Sequence, residues 1–246
     1  MKRFGWQIIL GTVLVYISIG VYLLHYAIFH DVYNIFFYMI MDIAFLPIQV
    51  LLVTMIIHQL LSFREKRKRM DKLNMVIGAF FSEIGTKLLT YVSDCDPKLD
   101  IIRNDLIVRE EWSDGEFTKV SRRLKAYDYA VDVQKVNLEH LRNLLSGKLD
   151  FLLRLLENPI LLEHESFTDL LWAVFHLGEE LASRQDIAQL PKSDYEHLAG
   201  DTKRVYNSLV HQWLDYMRHL KNNYPYLFSL AMRTNPFDQT ATPIVR

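Results

Sequence analysis

Hydrophobic residues are concentrated in two uninterrupted runs near the start of the chain. Residues 6–29 contain no Asp, Glu, Lys or Arg, and residues 35–61 contain Asp42 as their only residue of these types. At about 1.5 Å per residue, a helix of either length exceeds the ~30 Å hydrocarbon core of a bilayer. The first run is too long for a signal peptide, and the second run follows it directly. The pattern therefore predicts two retained transmembrane helices.

The link between the two runs is short. About five residues separate them, around His30, Asp31 and Asn34. So short a link predicts an antiparallel transmembrane hairpin over residues 1–61. Almost none of the chain is then left on the extracytoplasmic side of the membrane.

Basic residues flank the predicted hairpin at its two outer ends only. Lys2 and Arg3 precede the first run, the link has no Lys or Arg, and six basic residues follow the second run: Arg64, Lys66, Arg67, Lys68, Arg69 and Lys72. By the positive-inside rule, both termini and the soluble part face the cytoplasm. We expect an integral inner (plasma) membrane protein in which the juxtamembrane segment 62–72 fixes the topology. Binding of anionic lipid headgroups by the same residues is the alternative.

The predicted hairpin contains several polar residues at membrane depth. Asp42 and Gln49 are seven positions apart and share one helix face. In a tight hairpin Asp42 lies level with Tyr22 and His25, and Ser18 lies on the same face as His25. One hypothesis is that Asp42 accepts hydrogen bonds from these neighbours and joins helices within or between chains. The other is that Asp42 and Gln49 line an ion or proton path in an oligomer.

From residue 73 onward the apolar residues recur with the period of an amphipathic helix. A clear stripe runs from Leu73 to Val92, and further helical patterns cover residues 116–127, 136–156, 166–184 and 193–222. Strand-like alternation is limited to a weak hint at Tyr127–Val133. The fold class is therefore predicted to be all-α, with the two-helix transmembrane hairpin followed by a cytoplasmic helical bundle over residues 73–233.

The end of the chain contains a short aromatic segment. Pro225 is well placed to start a helix within Tyr224–Phe228. We expect this segment to close the bundle as a lid, and contact with the membrane surface or a partner is the alternative. Residues 234–246 are predicted to form a disordered tail.

Small residues recur on the predicted helix that follows the basic segment. Gly78, Ser82 and Gly85 cluster away from the apolar stripe. Small side chains let a second helix backbone approach closely, so these residues predict a tight helix–helix contact. Packing inside the domain is favoured over packing between subunits.

Histidine and acidic residues occur together at helical spacing in two places. His211, Asp215 and His219 form a stripe opposite the apolar face of their helix, and His176 lies opposite the apolar face of its helix beside Glu180. Both groups are therefore expected to be exposed to solvent. The sequence predicts no metal site.

Motifs and composition narrow the possible functions. The sequence has no Gly-rich phosphate-binding loop, no G-x-S-x-G and no H-E-x-x-H. After residue 72 acidic residues outnumber basic ones by five, which argues against nucleic acid as a partner. Cys95 is the only cysteine and is expected to be inert. We predict a protein that is not an enzyme and has no cofactor.

Two stretches carry a family resemblance that extends over most of the chain. Asp42-Ile43-Ala44-Phe45-Leu46-Pro47-Ile48-Gln49-Val50, and Tyr224 to Phe237 with its Asn235-Pro236-Phe237, resemble an uncharacterised group of bacterial two-span membrane proteins. The resemblance implies a bacterial inner-membrane protein with a helical cytoplasmic domain. It implies no known activity or site residues.

These observations lead to two functional hypotheses. The first is a membrane-tethered helical scaffold or regulatory protein that self-associates through the hairpin and the Gly78–Gly85 face, with a possible cytoplasmic protein partner. The alternative is a subunit of an oligomeric ion or proton channel with Asp42 and Gln49 lining the path. In both hypotheses the lipid bilayer and further copies of the chain are the expected partners.

Overall fold

The computed structural model describes residues 2–132, 134–187 and 189–244 and divides the chain into two compact units, residues 1–66 and 67–246. All regular secondary structure in the described ranges is helical. The all-α prediction is therefore confirmed for this part of the chain.

Two long helices account for the apolar part of the sequence. Helix α1 spans Lys2–Phe29 and helix α2 spans Val32–Phe80, so only His30 and Asp31 link them. His30 has a φ of 51°, and the Asp31 carboxylate accepts the backbone N–H groups of Tyr33 and Asn34 at 3.0 and 3.2 Å. Asp31 thus caps the first turn of α2, which makes the link shorter than the predicted five residues.

The apolar runs of both helices are exposed. Two helices in the described residues, at Ile9–Phe29 and Val32–Asp94, are long and apolar enough to cross a membrane, and none of the residues in the most apolar window of either is buried. Within the first unit, α1 and α2 do not pack along their lengths. Side-by-side packing of the two helices is therefore not confirmed, and the transmembrane hairpin stays a prediction. The apolar runs of α1 and α2 have apolar side chains on all sides, so neither run has one face that the other must cover.

A π-helical turn follows α2 and leads into the domain core. The turn covers Phe81–Gly85 and continues as α3, Thr86–Asp94. Both the backbone N–H and the hydroxyl of Thr86 donate to the Phe81 carbonyl, the hydroxyl at 2.9 Å. The wider turn lets the consecutive rings of Phe80 and Phe81 both enter the core, where they contact Phe167 and Tyr216 respectively. The helix predicted from the apolar stripe between Leu73 and Val92 thus contains one π turn.

The second unit is a bundle arranged around its longest helix. Its remaining elements are α4 (Asp100–Arg103), a 3₁₀ turn (Asn104–Leu106), α5 (Asp114–Ala126), α6 (Leu138–Ser146), α7 (Leu149–Leu156), a second 3₁₀ turn (Pro159–Glu163), α8 (Glu165–Ala182), α9 (Lys192–Asn223) and α10 (Pro225–Arg233). Helix α9 packs against α3, α5, α8 and α10, and α8 also packs against α6 and α7. The buried side chains of these helices form one core.

Several helix boundaries differ from the sequence-based expectation. The single helix predicted for residues 136–156 is two helices, α6 and α7, separated by Gly147 and Lys148. Between α3 and α5, residues 100–106 form one turn of α-helix followed by a 3₁₀ turn. No strand forms in the described part of Tyr127–Val133, and Val133 itself lies outside the described residues.

The end of the chain is anchored to the bundle. Asn235 and Phe237 are buried, the Asn235 side chain donates to the Leu106 carbonyl at 2.9 Å, and the Phe237 ring lies 5.1 Å from Trp213. The prediction of a disordered tail from residue 234 onward is therefore wrong for residues 234–237. Residues 234–246 are rich in residue types typical of turns, and this composition gave no indication that Asn235 and Phe237 are buried.

Helix α10 has one buried side and one exposed side. Phe228 is buried in the core and also lies under the Lys221 ammonium, 5.5 Å from its ring centre. Tyr226, Leu227 and Leu230 are exposed. The inward side matches the expected lid, and the exposed aromatic and aliphatic side chains leave the surface-contact alternative open.

Candidate functional site

The polar residues of the apolar helices lie without the predicted partners. Asp42 and Gln49 are exposed on α2, and within the described residues no hydrogen bond or ion pair holds Asp42. On α1, Ser18 and Tyr22 are exposed, and His25 is half-buried against Phe29 of its own helix. The predicted hydrogen bond from Tyr22 or His25 to Asp42 is not formed, because α1 and α2 do not pack along their lengths.

The basic residues after the apolar run are all exposed. Arg64, Lys66, Arg67, Lys68, Arg69 and Lys72 lie on successive turns of α2. Their exposure leaves them accessible to an anionic surface, and each basic residue near such a surface contributes roughly 1 kcal/mol of attraction. Fixation of topology and binding of headgroups both stay predictions for these residues.

The small residues of the predicted helix contact lie inside the second unit. A Cβ atom added at Gly78 would lie 3.3 Å from the Tyr216 hydroxyl of α9, and one added at Gly85 would lie 2.7 Å from the Phe80 ring. Gly85 is buried, and only Ser82 is exposed. Gly78 thus serves packing within the domain. Ser82 is therefore the one residue of the three that is left exposed to a second copy of the chain.

Gly78→Val is expected to destabilise the domain by about 1–3 kcal/mol, because the branched side chain must displace Tyr216 from its place beside Phe81. Ala79→Val is the matched control, since Ala79 is the exposed next residue of the same helix. Chemical denaturation followed by circular dichroism measures both. Equal unfolding midpoints for the two variants would show that close approach at Gly78 is unimportant.

The stripe on α9 is less exposed than its position opposite the core predicted. His211 and His219 are half-buried, and Asp215 lines two adjoining clefts of about 310 and 480 Å³ with them. Burial lowers the pKa of both histidines and raises the pKa of Asp215. The expectation of a solvated face holds for Asp215, which is exposed, and fails for the two histidines because α9 has neighbours on several sides.

A second group of histidines and carboxylates lies between two helices. The sequence indicated only its His176 and Glu180 members, on the first of these helices. His176 and Glu180 of α8 face His197 and Asp201 of α9. The His176 Nε2 atom lies 3.6 Å from Asp201 Oδ2 and 3.9 Å from Glu180 Oε1. The His197 Nε2 atom lies 3.4 Å from Asp201 Oδ2 and 3.8 Å from Glu180 Oε2. We refer to these four side chains as the histidine–carboxylate cluster.

Two arginines hold the carboxylates of this cluster. Arg184 donates to Glu180 Oε2 at 2.7 Å and forms a bidentate pair with Asp194, both bonds being 2.7 Å. The hydrogen bond from Arg184 lowers the pKa of Glu180. Arg204 lies 3.2 Å from Asp201 Oδ1. Each carboxylate of the cluster is therefore held by a guanidinium while it also faces imidazole rings.

The spacing of residues in the sequence indicates this cluster, although the position of His176 opposite the apolar face of its helix does not. His176 and Glu180 are four residues apart, and so are His197 and Asp201. On antiparallel neighbouring helices, such pairs place a histidine opposite a carboxylate at two successive levels. His176 is exposed as expected, and it also lies at the edge of the α8–α9 contact. In the described ranges no group of three or more His, Cys, Asp or Glu side chains is already arranged to hold a metal ion.

The architecture defines the class of protein: an all-helical chain in which two long, exposed apolar helices precede a helical domain with its own core. Comparison with known proteins then places it. Residues 2–61 match the N-terminal helical domain of MJ1433, and residues 69–233 match the C-terminal helical domain of the uncharacterized protein MJ1433. The chain belongs to the MJ1433 family.

A curated relative agrees with this placement. The uncharacterized protein MJ1433 of Methanocaldococcus jannaschii is 48% identical over 233 residues, which cover 95% of this chain and 94% of that protein. No solved structure matches the chain. The relative is archaeal, so the expected bacterial origin of the family is not supported. Its name assigns no activity.

Proposed function

We propose that the protein is a membrane-tethered helical scaffold or regulatory protein. The observation that carries the proposal is the complete exposure of the most apolar windows of α1 and α2, beside a domain that buries its own core. Apolar helices of this length in water would expose far more contiguous apolar surface than a soluble monomer tolerates. A bilayer removes these apolar side chains from water, and the backbone N–H and C=O groups are already hydrogen-bonded within the helices.

The proposed orientation rests on charge. The exposed basic segment follows the second apolar run, and the α1–α2 link contains only His30 and Asp31. This asymmetry favours a short external link with both termini and the helical domain in the cytoplasm. The domain would then work at the inner surface of the plasma membrane.

Self-association in the proposal depends on the apolar helices. Asp42 has no partner within the described chain, and an intramembrane carboxylate requires a hydrogen-bonding partner or water. A second copy of the hairpin supplies such groups. The Gly78–Gly85 face is not part of the proposed self-association, because Tyr216 covers Gly78.

The second candidate is an oligomeric ion or proton channel. The same exposed Asp42, with Gln49 seven residues further along α2, favours it. Two helices enclose no pore, so this function requires a closed ring of several copies.

Mass photometry of the full chain in lipid nanodiscs distinguishes the two candidates. The scaffold proposal expects a dimer or other small oligomer that dissociates in Asp42→Asn, while Asp31→Asn, the same change in the link, leaves it intact. A ring of five or more subunits would favour the channel. A strict monomer with no co-purifying partner would contradict the scaffold.

A further inference from the structure

The histidine–carboxylate cluster has a symmetric arrangement across α8 and α9. The two helices run antiparallel, since His176 lies level with Asp201 and Glu180 lies level with His197. Each helix contributes one imidazole and one carboxylate four residues apart. The two cross-helix pairs and the two pairs within helices together form a closed four-membered ring of side chains.

The spacing around this ring is close to that of a metal coordination shell. Zn²⁺ binds imidazole nitrogen and carboxylate oxygen at about 2.0–2.2 Å with tetrahedral geometry, which places neighbouring ligand atoms about 3.3–3.5 Å apart. The four separations between an imidazole Nε2 and a carboxylate oxygen run from 3.4 to 3.9 Å, with Oδ2 of Asp201 facing both histidines while Oε1 of Glu180 faces His176 and Oε2 of Glu180 faces His197. The ring is therefore wider than a closed shell by a few tenths of an ångström, in agreement with the absence of a ready-made metal group among the described residues.

Asp201 provides the observation that singles out this ring. Its side chain is 5% exposed, and its Oδ2 atom has no hydrogen-bond partner although it points at both Nε2 atoms. A buried carboxylate oxygen without a hydrogen bond costs free energy. Arg204 pairs with the other oxygen, Oδ1, so Oδ2 is left for a group that lies between the two imidazoles.

The surroundings permit a cation to enter and be held. The side chains of His176 and His197 are 46% and 52% exposed, so the ring opens to solvent on the imidazole side. Arg184 and Arg204 each bind one carboxylate of the ring. Hydrogen-bonded partners of this kind fix the orientation of ligands in metal sites.

We propose that His176, Glu180, His197 and Asp201 form a binding site for one divalent transition-metal ion, with Zn²⁺ as the ion that best fits two imidazoles and two carboxylates. The ion draws the four side chains together by a few tenths of an ångström and satisfies Asp201 Oδ2. It cross-links α8 to α9 close to the loop that joins them. This inference does not depend on the proposed function, since the site lies wholly within the second unit.

The competing explanation is a set of ion pairs between protonated histidines and the two carboxylates. That arrangement uses the same contacts but provides no high-affinity site for a metal. Metal binding by the purified protein therefore separates the two explanations.

The test uses the full chain in detergent, purified with a histidine-free tag and stripped with a chelator. Cobalt(II) is titrated into the protein, because tetrahedral cobalt gives strong visible absorption bands, and Zn²⁺ is then added as competitor. We expect one cobalt ion per chain with tetrahedral bands that Zn²⁺ abolishes. His176→Gln and His197→Gln should each weaken binding about tenfold or more, which is the loss that removal of even an outer partner causes.

The controls keep the outcome decisive. His140→Gln is the matched control, since His140 is an exposed histidine of α6 outside the ring, and its affinity should stay within about twofold of wild type. Both test residues are partly exposed, so helicity measured by circular dichroism should be retained, and if one variant unfolded the other would still decide. Lack of saturable binding, or equal affinity in wild type and both test variants, would overturn the proposal.

Discussion

Val50→Arg combined with Val53→Arg is expected to prevent stable insertion of the second apolar helix. Both valines lie in the middle of the run at residues 35–61 and are exposed on α2. An arginine at the centre of a membrane helix costs about 2.5–3.5 kcal/mol, so the pair costs about 5–7 kcal/mol. Each Leu, Ile, Phe or Val of the run favours insertion by only about 0.3–0.6 kcal/mol, so the two arginines cancel the contribution of roughly ten such residues.

Alkaline extraction of membranes measures this effect. Wild type should remain in the membrane pellet, and the double arginine variant should be extracted or degraded. Val50→Leu combined with Val53→Leu is the control, since it keeps the positions apolar and should behave as wild type. Retention of the arginine variant at wild-type level would mean that α2 does not depend on the hydrocarbon core.

Phe237→Ala is expected to lower the free energy of unfolding of the helical domain by about 3–5 kcal/mol. Phe237 is fully buried, packs against Trp213 and has its backbone N–H bonded to the Asn235 side chain at 2.9 Å. Removing a buried aromatic ring loses its transfer free energy and leaves a cavity. The expected loss is a large part of the stability of a typical domain.

Denaturant unfolding of the full chain in detergent, followed by far-ultraviolet circular dichroism, tests this value. Ile244→Ala is the control in the same C-terminal segment, because Ile244 is 67% exposed and its truncation should change stability by less than about 0.5 kcal/mol. Equal midpoints for Phe237→Ala and wild type would show that the end of the chain is not part of the core.

The sequence predicted most helices because their signals are local. The Ser113 side chain and the Glu116 side chain form a reciprocal capping box at the start of α5, and Pro225 occupies the first turn of α10. The length of the two apolar runs predicted α1 and most of α2 for the same reason. Each of these signals lies within a few residues of the element that it specifies.

Features that depend on distant contacts were not predictable in this way. The apolar runs of α1 and α2 are apolar on all sides. Matching residues of the two runs by their depth in the membrane therefore does not show whether the two helices pack against each other. The π turn at Phe81–Gly85 exists because two consecutive phenylalanines both find space in the core. Such space is supplied by α8 and α9, more than 80 residues further along the chain.

The candidate site shows the same limit. His176 lies away from the apolar face of α8, so periodicity alone assigned it to solvent. A residue at the edge of a helix contact satisfies the same angular test, and only the packing of α8 on α9 brings it to Asp201. A search for histidine and carboxylate pairs four residues apart on successive helices would have identified the cluster.

Cysteine labelling tests whether the chain crosses the membrane twice and keeps its helical domain in the cytoplasm. The buried Cys95 is replaced by alanine, and single cysteines are introduced as Asn34→Cys beside the link and Lys119→Cys on the exposed surface of α5. A membrane-impermeant maleimide is applied to intact cells and to lysed cells. The account predicts labelling of the Asn34→Cys protein in intact cells and of the Lys119→Cys protein only after lysis. Labelling of the Lys119→Cys protein in intact cells, or labelling of the Asn34→Cys protein only after lysis, would contradict it.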